Sequence, residues 1–219
     1  MHRTYLNKKV HLILISLIVL FAFFSFKKIA LLILFLYAIL AFLLRKSDIE
    51  YYKEIEPSGG VIMSPVHGRV VSIKKGITHK EFGNNLWEIR FLIPLGEKSG
   101  LYLPHESEVS NLVFKRGGSF FRYSKKDIPT QAEEVLDGPI LTLQNKNDGQ
   151  IGLQFLECPL GLYPRFFVLA GDRGQAKANF GYFPLGGTVL LYLPENYEIL
   201  VNENATVSPG ERLIATIKN

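Results

Sequence analysis

The residues of this sequence that could perform chemistry are a threonine and a histidine, each in its own glycine-containing segment. Thr188 follows Gly186 and Gly187, and His67 stands directly before Gly68. A hydroxyl group barely ionises near pH 7, so an alcohol nucleophile needs a general base and a further group that orients this base. Thr188 is therefore a candidate nucleophile, and His67 is a candidate base.

Metal binding and thiol chemistry receive little support from the sequence. His67, His79 and His105 are widely separated, without the short paired spacings and adjacent carboxylates of a metal site, so we predict no metal ion. Cys158 has no neighbouring base and is expected to be a small buried hydrophobic residue. As the single cysteine, it cannot form an internal disulfide.

The N-terminal segment, residues 1–46, is expected to be a membrane anchor of two short apolar helices. Two apolar runs, 10–26 and 29–44, are separated only by a lysine pair, and their end residues are Val10, Phe26, Ile29 and Leu44. At about 1.5 Å per residue, each helix would be about 25 Å long, slightly less than a hydrocarbon core of about 30 Å. A spanning hairpin, two shallow helices in one leaflet and a single bent crossing all remain open.

The charge distribution indicates which side of the membrane the protein occupies. Residues 1–46 contain seven Lys and Arg and no Asp or Glu, which leaves 18 basic against 20 acidic residues downstream. The net charge of +5 therefore belongs to the anchor and does not indicate nucleic-acid binding. Basic flanks on both sides of the apolar runs favour a hairpin in the inner membrane with the domain facing the cytoplasm. The expected partner is an anionic phospholipid surface.

The rest of the chain is predicted to be mainly β. A connector, 47–60, precedes a domain at 61–219 that is rich in short aliphatic stretches, including 86–93, 140–143, 151–156 and 189–193, punctuated by Gly, Pro and Asn. We expect a partly open β-barrel or sandwich with one short helix near 129–136. The segment 207–213 has proline and glycine at a strand-turn-strand, similar to biotinyl and lipoyl domains, but its turn lacks a lysine for a carrier role.

The two glycine-containing segments around Thr188 and His67 resemble segments of the phosphatidylserine decarboxylase family, in particular its short, membrane-anchored bacterial and archaeal type. Leu185-Gly186-Gly187-Thr188 precedes an apolar run, where the family carries Leu-Gly-Ser-Thr. Residues 63–71 read Met-Ser-Pro-Val-His-Gly-Arg-Val-Val, where the family carries Ser-Pro-Ala-Asp-Gly-Arg-Val. The resemblance covers roughly 58–219 and implies the decarboxylase type of β fold.

The resemblance also implies how the family reaction works and where this chain departs from it. The family serine attacks the preceding glycine carbonyl, splits the chain and becomes a pyruvoyl group, with an aspartate and a histidine as activating residues. Here Gly187 stands at the serine position, His67 at the aspartate position and Ser99 near the histidine position. No pyruvoyl cofactor and no catalytic residue are therefore expected.

Three functions are compatible with these residues. The leading hypothesis is a non-catalytic phospholipid-binding or regulatory pseudoenzyme, acting as a homo-oligomer or beside a true decarboxylase. The second is an active decarboxylase that makes phosphatidylethanolamine after atypical activation at Gly187 and Thr188, where the cleavage would leave a 2-oxobutanoyl group. The third is a membrane-tethered β interaction module. For lipid binding, the cations of the aromatic-rich cluster 114–126 are the candidate headgroup residues: Arg116, Arg122 and Lys125.

Overall fold

The computed structural model describes residues 4–24, 26–46, 60–114, 138–145, 149–156 and 162–218. Two helices come first, α1 (Lys8–Phe23) and α2 (Lys27–Leu43). The strands that follow are β1 (Val61–Met63), β2 (Gly68–His79), β3 (Gly83–Ile93), β4 (Gly100–Tyr102), β5 (Ser107–Val113), β6 (Ile140–Asn145), β7 (Gly149–Leu156), β8 (Arg165–Phe166), β9 (Arg173–Gly174), β10 (Asn179–Tyr182), β11 (Gly187–Pro194), β12 (Tyr197–Ile199), β13 (Thr206–Val207) and β14 (Leu213–Ile217).

The two helices lie side by side in opposite directions. Their outer ends are joined where the Tyr5 N–H donates to the Leu44 carbonyl at 2.8 Å. Farther along the pair, His11 Nδ1 lies 2.8 Å from the Tyr37 hydroxyl. Most of the other side chains are exposed and apolar, with Phe23 the extreme at 81% exposed. Among the described residues, neither helix combines the length and apolar character that a membrane crossing requires.

The largest sheet has eight strands, and β11 lies near its middle. Its order is β13-β2-β3-β11-β7-β6-β5-β9, and every pairing is antiparallel. β11 is an almost continuous run of aliphatic residues, so it is buried on both faces and pairs with a neighbour on each side. The sheet is open, since β13 and β9 form its edges. The prediction of a mainly β protein is confirmed at this level.

Two small antiparallel sheets complete the described fold, in the orders β1-β14-β12 and β4-β10-β8. The predicted strand-turn-strand at 207–213 exists, with a turn at 209–211 between β13 and β14. Its strands enter different sheets, however, because β13 pairs with β2 while β14 pairs with β1 and β12. The turn therefore connects two sheets, whereas a paired hairpin would stay within one.

The two faces of the eight-stranded sheet differ in chemistry. On β3, Ile89, Phe91 and Ile93 alternate toward the main hydrophobic core. Glu88 and Arg90 point to the other face, yet both are buried. Several sequence predictions lie outside the described residues: the connector 47–59, the helix near 129–136, Cys158 and the cluster Arg116, Arg122 and Lys125.

Candidate functional site

The C-terminal end of β3 brings the two glycine segments together. On one side, β2 pairs Arg69 with Leu92, so the preceding Gly68 lies against Ile93. On the other side, β11 pairs Gly187 with Ile93. Because neighbouring strands are about 4.8 Å apart, the two glycine backbones lie roughly 10 Å from each other across one intervening strand.

His67 is held beside this strand end in a dry environment. Its ring is 8% exposed and meets the Tyr102 ring edge-on, with the ring centroids 5.9 Å apart. Burial lowers the pKa of His67 to about 4, and the nearby Lys98 ammonium contributes to the same shift. His67 is therefore neutral near pH 7, but it is a weaker base than an ordinary histidine.

The low pKa of His67 predicts a loss of stability in acid. The unfolded chain has a histidine pKa of about 6.5, so between this value and the folded value of about 4 the unfolded state binds more protons. The contribution of neutral His67 to the free energy of unfolding is complete above pH 6.5 and decreases as the pH falls toward 4. We expect His67→Gln to flatten the dependence of the melting temperature on pH in this window.

A matched substitution controls for the removal of a histidine as such. His79 stacks on Phe82 with the ring centroids 4.5 Å apart, at the far end of β2 from His67. His79→Gln should therefore keep the acid-dependent loss that His67 causes. An unchanged pH profile in His67→Gln would contradict the assignment of a depressed pKa to this residue.

Ser99 is close to the same site but does not supply a base. Its residue is 1% exposed, and its carbonyl accepts a 2.7 Å hydrogen bond from the Phe183 N–H. Within the described residues, the Ser99 Oγ has no hydrogen-bond partner. A neutral hydroxyl cannot take up a proton near pH 7, so Ser99 does not replace a histidine base.

The turn before β11 leaves no room for a nucleophilic side chain. Gly186 has a φ of +85°, and a Cβ there would lie 2.3 Å from the Ile93 carbonyl oxygen, which explains the glycine. At Gly187, a Cβ would lie 2.4 Å from the Phe183 ring. Phe183 itself is fully buried in the main core. The ring therefore occupies the space that a side chain at Gly187 would need.

Thr188 lies on the other face of the sheet from that position. Along β11, Val189 and Leu191 belong to the main core, whereas Leu190 and Tyr192 belong to the second cluster, so Thr188 shares the second face. The residue is 3% exposed and lies between Leu92 of β3 and Leu156 of β7. The structure thus brings His67, Ser99 and Gly187 to one strand end and turns the Thr188 side chain away from them.

The base of the helix pair packs onto the same region of the domain. The Tyr5 ring stacks on the Tyr182 ring with the centroids 4.4 Å apart, and Asn179 Nδ2 donates to the Tyr5 hydroxyl at 3.0 Å. Burial raises the pKa of Tyr5, and the adjacent Tyr102 hydroxyl raises it further. Tyr102 also contacts His67, so the N-terminal segment and the candidate site share one aromatic neighbour.

Sequence reasoning did not find Tyr5, Tyr102 or Phe183 as parts of this site. A Cβ at Gly100 would lie 2.3 Å from the Tyr102 hydroxyl, a close contact that only the structure reveals. Tyr5 carried no local signal, since its partner Asn179 is 174 residues away in the chain. In the part of the chain that the structure describes, no group of His, Cys, Asp and Glu is arranged to hold a metal ion.

Comparisons with known proteins add no relative. No family model, no curated protein and no solved structure matches this chain. The similarity to the phosphatidylserine decarboxylases therefore remains a prediction from the quoted segments.

Proposed function

We propose that this protein is a membrane-anchored, phosphatidylserine-decarboxylase-like pseudoenzyme that binds phospholipid without processing its own chain. One observation carries the proposal: the Phe183 ring fills the space where a side chain at Gly187 would project. A self-cleaving serine at this position needs both a hydroxyl and room to reach the preceding carbonyl. Gly187 offers neither, so the residues do not fit a pyruvoyl group.

The neighbours of Gly187 support the same proposal. An alcohol nucleophile needs a base with a pKa near the working pH. The pKa of His67 is about 4, and Ser99 carries no basic group. Among the described residues, this strand end therefore does not combine a nucleophile, an effective base and an orienting partner.

The helix pair supports attachment to a lipid membrane. Its exposed faces are aliphatic and aromatic, including Leu31 at 68% and Phe35 at 62% exposed, and such surface is stable only when something covers it. Lys8 and Arg45 stand at the end of the pair that meets the domain, where cations interact favourably with anionic lipid. We propose a shallow or hairpin insertion into the inner membrane with the β domain on the cytoplasmic side.

Two alternatives make different predictions. An active decarboxylase would have to use Thr188, whose side chain lies on the opposite sheet face from Phe183. A membrane-tethered interaction module would bind a protein partner without lipid preference. A homo-oligomer or a true decarboxylase remains the proposed protein partner of the pseudoenzyme.

The test uses the full-length protein with vesicles that contain phosphatidylserine. We expect the protein to float with the vesicles in a density gradient, because the exposed apolar helices enter the bilayer. We also expect no release of carbon dioxide from the serine headgroup. Carbon dioxide release in proportion to protein would support the active enzyme, and failure to float would contradict the membrane proposal.

A further inference from the structure

Three cations meet where the helix pair joins the β domain. Arg45 and Lys46 follow the end of α2, and Lys98 lies in the loop 94–99 between β3 and β4. We call Arg45, Lys46 and Lys98 the junction site. The exposed Glu97 is the acidic residue of the same loop.

Arg45 fixes the loop to the anchor. Its Nη2 donates to the Gly96 carbonyl at 3.0 Å, and its guanidinium lies 4.4 Å from the centre of the Phe42 ring. Arg45 Nε is buried and has no hydrogen-bond partner among the described residues. The guanidinium is thus held at the loop, and its positive charge can attract a phosphate group.

Lys98 lies close to Arg45 through the same loop. Lys98 is two residues after Gly96, a span of at most about 7 Å along the chain. Its ammonium is also near enough to His67 to lower the pKa of that ring. On the opposite side, Lys46 Nζ lies 5.2 Å from the centre of the Tyr5 ring. The three cations therefore each contact a residue or loop next to the candidate site: Arg45 through Gly96, Lys46 through Tyr5 and Lys98 through its effect on His67.

The position of the junction site at the end of the apolar helices indicates which part of a lipid it would meet. Both helices reach the domain here, since α1 begins at Lys8 and α2 ends at Leu43. If the apolar faces enter the acyl chains, this end of the pair lies at the level of the headgroups. Aromatic and basic side chains are the residue types that occupy this level.

We propose that the junction site binds the phosphate of a phospholipid with net negative charge, and that it is the lipid-recognition site of the protein. This inference rests on the proposed membrane attachment and specifies which residues recognise the lipid. Both anionic lipids and phosphatidylcholine carry a phosphodiester. The quaternary ammonium of choline, however, would be placed among three cations and repelled, so the site prefers headgroups without excess positive charge.

The experiment counts the lipids retained by the full-length protein in detergent. Equal amounts of phosphatidylglycerol and phosphatidylcholine are added, and native mass spectrometry measures how many molecules of each remain bound. We expect the wild type to prefer phosphatidylglycerol by about tenfold, because the cations of the junction site repel the choline ammonium while phosphatidylglycerol carries no positive charge. Arg45→Gln with Lys98→Gln should bring the ratio close to one, and Lys98→Gln alone should lower it in part.

Lys75→Gln is the matched control. Lys75 forms an exposed ion pair with Glu195, and the substitution removes one positive charge, as Lys98→Gln does. Lys75 is seven residues after Gly68 in β2, and therefore about 20 Å from Gly68. We expect this variant to keep the wild-type ratio. Thermal unfolding of each variant shows whether it is folded, and the single Lys98→Gln variant decides the result if Arg45→Gln does not fold.

The outcomes separate this inference from the proposed function. If both junction variants keep the wild-type preference, the junction site is wrong while lipid attachment stands. If soluble glycerol 3-phosphate displaces the lipid completely, the site recognises a free phosphate, and the lipid assignment is wrong. If the wild type retains no lipid of either kind, both the inference and the proposed function fail.

Discussion

Replacing Gly187 with serine is expected to destabilise the domain and to leave the chain uncut. The new Cβ would lie 2.4 Å from the buried Phe183 ring, so the ring or the backbone has to move. Adding atoms to a well-packed core costs about 1–3 kcal/mol. His67, the candidate base at this strand end, has a pKa of about 4 and is therefore a poor base near pH 7. Thermal unfolding and intact mass measure the two effects.

Two variants separate steric from chemical effects at this position. Gly187→Ala adds the Cβ without the hydroxyl and should lose a similar amount of stability. Gly187→Ser with Phe183→Ala gives the serine room but leaves His67 unchanged, so we still expect no cleavage. A cleaved, carbonyl-reactive chain in the single Gly187→Ser variant would show that an effective base is present, and would contradict our interpretation of His67.

Replacing Arg90 with methionine is expected to lower the free energy of unfolding more than replacing Gly187 with serine does. Arg90 Nη2 lies 3.7 Å from Glu88 Oε1, and both side chains are almost fully buried. The Tyr192 hydroxyl donates to Glu88 Oε2 at 3.2 Å, and burial raises the pKa of this tyrosine, as the Glu88 carboxylate also does. Without Arg90, the carboxylate stays buried with neutral neighbours, and breaking such a pair costs about 3–5 kcal/mol.

The control for this prediction is an exposed ion pair in the same sheet. Lys75 Nζ lies 2.9 Å from Glu195 Oε1, and each side chain is 51% exposed. Lys75→Met should therefore change the free energy of unfolding far less than Arg90→Met, because water screens both charges. Adding Glu88→Gln to Arg90→Met should recover part of the loss. Equal effects of Lys75→Met and Arg90→Met would contradict the assignment of a buried charged pair.

The strands of the core could be predicted because their signals are local. The apolar stretch 189–193 lies within β11 and the stretch 86–93 lies within β3, as expected for aliphatic runs between turn residues. Glu88 and Arg90 interrupt the second stretch at a spacing of two, which placed them on one face. The burial of this face depends on which other parts of the chain pack over the sheet. The spacing of the residues could not predict it.

The candidate site could be predicted only in part because its properties come from contacts distant in sequence. The glycine segments and His67 are visible as residues, and the pairing of Gly187 with Ile93 brings them together. The depressed pKa of His67 results from burial and from Lys98, which is 31 positions away in the chain. The contact between Tyr5, before the first helix, and Tyr182 joins residues that are separated by most of the sequence.

The intact mass of the purified full-length protein tests the central claim most directly. Gly187 provides no hydroxyl and the Phe183 ring occupies its side-chain space, so the chain should remain whole. We expect a single species at 24.8 kDa that does not react with carbonyl reagents. A split between Gly187 and Thr188, with a C-terminal fragment of residues 188–219 that carries a reactive 2-oxobutanoyl carbonyl, would contradict the account.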